Sequence, residues 1–171
     1  APHPDLDGRL LRRRDGARVL RPFNILMTAG SRRVPLVHAF RNALRTTAAG
    51  GRVIVTDVNP LSPAVHVADR AYRVPMANDP AYLTELLAIC KAERIRLVVP
   101  TIDDELPVIA ADRAAFGAAG AIVACSAEPT CALCNDKYAT CRHLREAGVS
   151  AVQTWLPGDL PANPKFPLFI K

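Results

Sequence analysis

An α/β fold, an open parallel sheet covered on both faces by helices, is what this sequence predicts, and three observations carry that expectation. Short runs rich in Val, Ile and Leu alternate with segments in helical spacing along residues 23–128. The connections between them are short and are built from turn residues. Apolar residues make up 50% of the 171-residue chain but aromatics only 5%, so packing falls to aliphatic strands against Ala-rich helices.

Each element can be justified in turn. Phe23-Asn-Ile-Leu-Met-Thr28 is a short apolar run and reads as the first strand. Ala29-Gly-Ser-Arg-Arg33 breaks it before residues 34–44 take up helical spacing. Arg52-Val-Ile-Val-Thr56 is the second strand and ends in Asp57-Val-Asn-Pro60, which has turn chemistry. Residues 71–75 form a brief third strand. Asp79-Pro-Ala-Tyr82 supplies an N-cap and a first-turn proline, and Tyr82, Leu83, Leu86, Leu87 and Cys90 form the buried stripe of the helix that follows. Arg96-Leu-Val-Val-Pro100 is a strand that opens into Thr101-Ile-Asp-Asp-Glu105. Residues 106–116 read as a helix that tolerates Pro107 early in its length, and Ala121-Ile-Val-Ala124 is the last strand. Right-handed crossovers between such units make the sheet parallel.

Three regions follow: residues 1–22, a basic tail or linker expected to be without fixed structure; residues 23–128, the α/β domain; and residues 129–171, the start of a second unit. Glu128-Pro-Thr130 marks the junction, a helix is expected over residues 135–147, and a Pro-rich loop over residues 158–167. The net charge of +6 invites a nucleic-acid reading, but half of it sits in the tail, where six arginines face three aspartates. No aromatic platforms interleave with that basic run, so nucleic acid is not the expected partner. No apolar run approaches the ~20 residues a membrane span needs, and the first residues lack the order of a secretory signal. A cytoplasmic location is the resulting expectation.

The five cysteines need weighing. Cys131-Ala-Leu-Cys134, with Cys141 and His143 downstream, has the outline of a metal cluster. Yet Cys131, Cys134, Tyr138, Cys141 and Arg145 follow the rhythm of one helix, which sets the thiols along a face rather than around a tetrahedral centre. Buried small hydrophobes are the expected role, and no metal ligand is assigned.

The chemistry should gather where ligands bind in open parallel sheets, beyond the carboxyl ends of the strands at the point where chain order reverses. Three loops leave strand ends there with polar groups: Ala29-Gly30-Ser31-Arg32-Arg33, Asp57-Val58-Asn59 and Thr101-Ile102-Asp103-Asp104-Glu105. If the first and fourth strands are neighbours, two arginines and three carboxylates face one crevice. The first loop could hold an anion through backbone N–H groups and the following helix N-terminus, with Arg32 or Arg33 adding a bidentate fork. Asp57 would then sit where a nicotinamide-cofactor domain holds a ribose hydroxyl. An NAD(P)-binding oxidoreductase domain is therefore one alternative, weakened because the loop has one glycine where G-x-G-x-x-G needs three. A non-catalytic module for a small metabolite is another.

The last third adds Cys134-Asn-Asp-Lys137-Tyr-Ala-Thr140, then Leu144 and Gly148-Val149, then Phe166-Pro-Leu-Phe-Ile-Lys171. It reads as a helix with a lysine near its start, a Gly-terminated end, and an apolar strand delivering a second lysine. Two such point charges suit a polyphosphate. The pattern resembles the entry to the nucleotide site of the ATP-grasp ligases, whose motifs place Lys137 and Lys171 on the two ATP-contacting lysines.

Upstream, Asn24-Ile-Leu-Met-Thr-Ala-Gly-Ser-Arg-Arg-Val34, Thr56-Asp-Val-Asn-Pro-Leu-Ser-Pro-Ala64, Ala68-Asp-Arg-Ala-Tyr-Arg-Val-Pro75 and Val98-Val-Pro-Thr-Ile-Asp-Asp-Glu-Leu-Pro107 are similar to the carbamoyl-phosphate-synthase-like branch of that superfamily. The resemblance implies a Rossmann-like pre-ATP-grasp domain followed by the beginning of an α+β ATP-grasp subdomain. It also implies an N-terminal crevice in which Ser31, Arg32, Arg33, Asp57, Asp103, Asp104 and Glu105 help to bind substrate. The implied reaction is ADP-forming: a carboxylate attacks the γ-phosphate of ATP and an amine then displaces phosphate, so the partners are small carboxylates and amines. ATP and Mg²⁺ are the implied cofactors. In the family a glycine-rich loop and the Mg²⁺ ligands follow the second lysine, and this chain stops at Lys171. The 171 residues alone are therefore expected to be inactive, no catalytic residue is assigned, and a homodimer stays open.

Overall fold

The computed structural model describes residues 11–12, 18–19, 22–47 and 50–170. Two short strands, β1 (Leu11–Arg12) and β2 (Arg18–Val19), pair antiparallel within the stretch expected as an unstructured tail. The main sheet consists of β3 (Asn24–Met27), β4 (Val53–Asp57), β5 (Arg70–Arg73), β6 (Ile95–Val99) and β7 (Ile122–Val123), all parallel, in the order β5-β4-β3-β6-β7. Chain order runs outward from β3 in both directions, so β3 and β6 are neighbours and the reversal lies between them.

Strand alternation divides the core into two layers. Ile25, Met27, Val53 and Val55 face one side, where Val37 and Leu44 of α1 (Val34–Thr46) and Ala64 of α2 (Pro63–Val67) cover them. Leu26, Ile54 and Val98 face the other side. They are covered by Tyr82, Leu86 and Cys90 of α3 (Tyr82–Ala92), Ile109 of α4 (Leu106–Ala111) and Phe116 of α5 (Arg113–Ala118). Each fully buried Leu, Ile or Phe contributes about 1.5–3 kcal/mol. Burial also pushes the Cys90 thiol up to about 12, which leaves it a neutral apolar filler.

At the amino edge of the sheet a buried carboxylate ties four elements together. Glu93, just past α3, pairs with Arg52 at 3.1 Å and Arg70 at 2.5 Å and accepts the Tyr72 hydroxyl. Its backbone carbonyl accepts the Asn24 amide at 2.6 Å. Burial alone would push this carboxyl up, but the Tyr72 and Arg70 hydrogen bonds and the charges of Arg70 and Arg52 outweigh it and hold the group below its ordinary value.

Three sequence expectations change in detail. The helix expected over residues 106–116 is a 3₁₀ turn, Asp103–Glu105, followed by α4 and α5. The break falls at Asp112 (φ −97°, ψ 20°), whose carbonyl accepts from Ala115 and Phe116 and restarts the helix. The single helix through Cys131 and Cys141 is two helices, α6 (Glu128–Asn135) and α7 (Lys137–Glu146). Asp136 is extended between them, and its Oδ1 accepts the Ala139 N–H at 3.0 Å, so this aspartate is the N-cap of α7. Of the cysteines there, Cys131 is buried on α6, which packs against α4, Cys141 is half-buried and Cys134 is exposed, so the thiols do not share one apolar face.

The Gly-terminated end forms as expected. Gly148 at φ +75° donates to the Arg145 carbonyl and Val149 donates to that of Leu144, which is the Schellman pattern. The strand expected over residues 166–171 does not form among the described residues. Residues 166–170 have no ladder partner there, and Phe166, Phe169 and Ile170 are exposed. Lys171 lies outside the described residues.

Candidate functional site

The crevice expected at the switch point exists, because β3 and β6 pair through Met27 and Val99 and their carboxyl-end loops diverge. The loop after β3 is tightly turned: Ala29 and Ser31 have φ of 47° and 45°, which costs each residue strain that glycine would not bear. Gly30 between them is there for space. A Cβ on it would meet Val55 Cγ1 at 2.5 Å and Ala64 Cβ at 3.1 Å. The loop donors are already engaged: Gly30 N–H donates to Thr56 O at 3.1 Å, Ser31 N–H to Asp57 Oδ2 at 2.6 Å, and Arg33 N–H to Gly30 O at 2.9 Å. α1 has a proline in its first turn. The loop therefore lacks the run of free N–H groups that a phosphate cradle needs.

Asp57 is buried at the end of β4, and each of its oxygens receives one backbone N–H, from Ser31 and, at 2.8 Å, from Asn59. It holds the loops of two strands together. Arg33 turns towards the loop after β6 and donates from Nη2 to Thr101 O at 2.5 Å, while Arg32 is exposed.

Glu105 is the hub of the crevice floor. It is 1% exposed. Its Oε1 accepts from Thr28 Oγ1 at 2.7 Å, Thr101 N–H at 2.7 Å and Ile102 N–H at 3.3 Å, and Oε2 accepts from the Tyr82 hydroxyl at 2.6 Å. Burial first, then the charge and hydrogen bond of Glu105, push the Tyr82 phenol up and keep it a proton donor. Thr101 Oγ1 closes the ring by donating within 2.8 Å of the Thr28 and Ala29 carbonyls. Sequence reasoning missed Thr28 and Tyr82. Tyr82 had a signal, since a tyrosine on a buried helical stripe must find a partner for its hydroxyl.

Above this floor lies a cavity of about 430 Å³ between the loops after β3, β4 and β5 and the start of α4. Ser31, Asp57, Asp104 and Glu105 reach its wall; Arg32, Arg33 and Asp103 do not. Asp103 instead pairs with Lys137 at 3.1 Å, on the side of α7. Lys137 Nζ also donates to Cys134 O at 2.8 Å. The structure thus brings one ATP-site candidate to the rim of the crevice loop. Arg113 fastens the strand end that leads into α6 by donating to the carbonyls of Val123, Cys125 and Ser126 at 3.1, 2.6 and 2.7 Å. Among the described residues no three His, Cys, Asp or Glu side chains are grouped to hold a metal ion, and no helix is long and apolar enough to cross a membrane.

Residues 25–124 match the family described as the PylC-like N-terminal domain. The chain belongs to that family. The PylC-like domain supplies the two strand pairs that make the crevice, and solved structures share its fold. A single-chain, multi-domain long-chain acyl-CoA carboxylase is 27% identical with a TM-score of 0.52, over 77% of this chain and 13% of that one. Glycinamide-RNase-transformylase T from Mycobacterium tuberculosis is 21% identical with a TM-score of 0.54, over 78% of this chain and 38% of that one. The biotin carboxylase domain of a single-chain bacterial carboxylase is 19% identical with a TM-score of 0.51, over 75% and 30%. The chain spans well under half the length of each. No curated protein matches it. The expected pre-ATP-grasp domain of the carbamoyl-phosphate-synthase-like branch is thereby met, in preference to an NAD(P)-binding oxidoreductase.

Proposed function

We propose that this chain is the N-terminal part of an ADP-forming ATP-grasp ligase that joins a carboxylate to an amine through an acyl phosphate. The carboxylate oxygen bonds to the γ-phosphorus as the bridge to ADP breaks. The amine nitrogen then bonds to the acyl carbon, inorganic phosphate leaves, and the amine proton passes to solvent. Because carboxylate and triphosphate repel one another, such a step needs fixed positive charge and in-line positioning. Lys137 and Lys171 are the groups assigned to ATP.

The observation that carries the reading is the position of Lys137. The Asp136 cap starts α7, Arg113 fixes the preceding segment, and the ammonium comes to rest against Asp103 on the loop after β6. This sets a cation beside the crevice of a domain whose family is that of pre-ATP-grasp units. A phosphate arriving there would exchange an exposed carboxylate for a stronger anionic partner of Lys137. The described residues fit the triphosphate in this one cation. They do not fit Mg²⁺, and no step here is routed through a metal ion.

The test is ATP binding and ADP release by the complete protein, screened against pooled amino acids and carboxylic acids. Lys137→Ala and Lys171→Ala are each expected to weaken ATP binding about tenfold or more, as loss of a charge-assisted phosphate contact does. Unchanged ATP affinity in both variants would remove the lysines from the site. A complete protein that binds a metabolite in the crevice without releasing ADP would make it a binding module instead.

A further inference from the structure

We propose that the cavity beside the switch point takes the ammonium end of a small aliphatic amine, and not the carboxylate end of a substrate. The inference rests on the ligase reading above for its place in a reaction, but the binding preference stands on the cavity itself. With about 430 Å³ available, the space suits a metabolite-sized molecule. Its walls are largely apolar, and three of its side chains, Val58, Met76 and Ile102, stand 47%, 64% and 37% exposed around it. Large apolar side chains left in water around a concavity suit an aliphatic body.

The charged groups in the wall have one sign. Among the described residues, Asp57, Asp104 and Glu105 supply carboxylates, and no Lys, Arg or His side chain lines the space. Arg32 is exposed outside the lining, Arg33 is held by Thr101 O, and Lys137 is held by Asp103 and Cys134 O. Four of the backbone donors around the space are engaged too. The Ser31 and Asn59 N–H groups point to Asp57, and those of Thr101 and Ile102 point to Glu105. A carboxylate entering here would meet three like charges, with only the neutral Ser31 hydroxyl and Asn78 amide as side-chain donors beside the Tyr82 hydroxyl, which is committed to Glu105.

An ammonium finds the reverse. The Asp57 oxygens each accept one N–H and keep a lone pair free. Asp104 accepts no hydrogen bond and forms no ion pair among the described residues, and it stands at the mouth of the space on the Asp103–Glu105 turn. Glu105, already bonded to four donors, adds charge rather than a contact and fixes the turn that carries Asp104. Asp104 is accordingly a specificity-determining residue and Glu105 a positioning residue.

The experiment is a titration of this chain with three probes that share one isoamyl body, isoamylamine, isoamyl alcohol and 4-methylpentanoate, followed by backbone amide shifts and calorimetry. The amine is expected to bind about tenfold more tightly than the carboxylate and to move the amides of Val58, Ile102 and Asp104. Asp104→Asn, an exposed change that leaves the core intact, is expected to weaken the amine about fivefold and leave the alcohol unchanged. Asp104→Lys is expected to reverse the order of amine and carboxylate. Equal or tighter binding of the carboxylate to the unaltered chain, no amine binding, or amine binding indifferent to Asp104→Lys would each overturn the proposal. None of these readouts involves ATP, so the ligase reading fails separately, through the lysine variants and ADP release.

Discussion

Removal of the Glu105 carboxylate tests whether the crevice floor is a single hydrogen-bonded unit. In Glu105→Ala the hydroxyls of Thr28 and Tyr82, 0% and 3% exposed, lose their acceptor, and the Thr101 and Ile102 N–H groups lose theirs at a partly open site. Each orphaned buried donor costs about 1–3 kcal/mol, so the two hydroxyls alone give about 2–6 kcal/mol. A loss near 4 kcal/mol lowers the melting temperature of a chain this long by roughly 8–16 °C. Glu105→Gln is the control. Its amide oxygen can keep the three Oε1 bonds, and the Tyr82 hydroxyl can turn to accept from the new NH₂, so about 1 kcal/mol is expected. Urea unfolding of the three proteins, followed by far-UV circular dichroism, reads the difference. The reasoning is refuted if Glu105→Ala is no less stable than Glu105→Gln, because the hydroxyls would then be finding other partners.

Three further outcomes follow from single contacts. Gly30→Ala places a Cβ 2.5 Å from Val55 Cγ1 and is expected to destabilise by about 1–3 kcal/mol in the same unfolding assay; an unchanged midpoint would show that the α2 side of the sheet yields freely. Glu93→Gln should be less stable than the unaltered chain at neutral pH. Since the folded pKa of Glu93 is held below its unfolded value, its contribution is complete above the ordinary glutamate range and disappears as pH falls through the folded value. The two unfolding midpoints should therefore converge once the pH has fallen through that value, below the ordinary glutamate range, and a gap that persists there would contradict the pairing. Asp103→Asn frees Lys137 from an exposed pair whose side chains are 65% and 45% exposed, so ATP affinity of the complete protein should rise by no more than about fivefold in calorimetry, and a fall would place Asp103 in the ATP site itself.

The fold was legible because each strand carries its own signature: runs such as Val53-Ile54-Val55 are buried on both faces, and only parallel strands under two helical layers need that. The breaks at Asp112 and Asp136 were hidden for a common reason. Apolar spacing runs straight through both; at Asp136 the interruption is a side-chain cap, and at Asp112 it is a change of backbone angle alone, neither of which periodicity registers. α2 was missed because five residues, Pro63–Val67, are too few to show a period. At the site, the loops carrying chemistry were identifiable from their place after strands, but not the direction of each side chain. Glu105 and Asp57 read as ligand contacts by residue type, and the structure commits much of their accepting capacity to the protein itself.

The separation of charge at the switch point follows from the same geometry. The loop after β3 leads into α1 on one face of the sheet, and the loop after β6 leads into α4 on the other, so Arg33 and the Asp103–Glu105 turn start from opposite sides of the reversal. Within that turn, successive residues diverge: Asp103 meets Lys137 on α7, Asp104 reaches the cavity, and Glu105 goes down into the floor. Three acidic residues in a row would repel one another if they shared a direction, and a 3₁₀ turn with three residues per revolution fans them apart. On the two proposals the turn would serve as a partition between the cation for ATP and the carboxylates for an amine, and Glu105 anchors it from below. An amine bound at Asp104 and a nucleotide bound at Lys137 would be held on either side of one fixed turn, which is the placement that carrying an acyl phosphate to a waiting nucleophile requires.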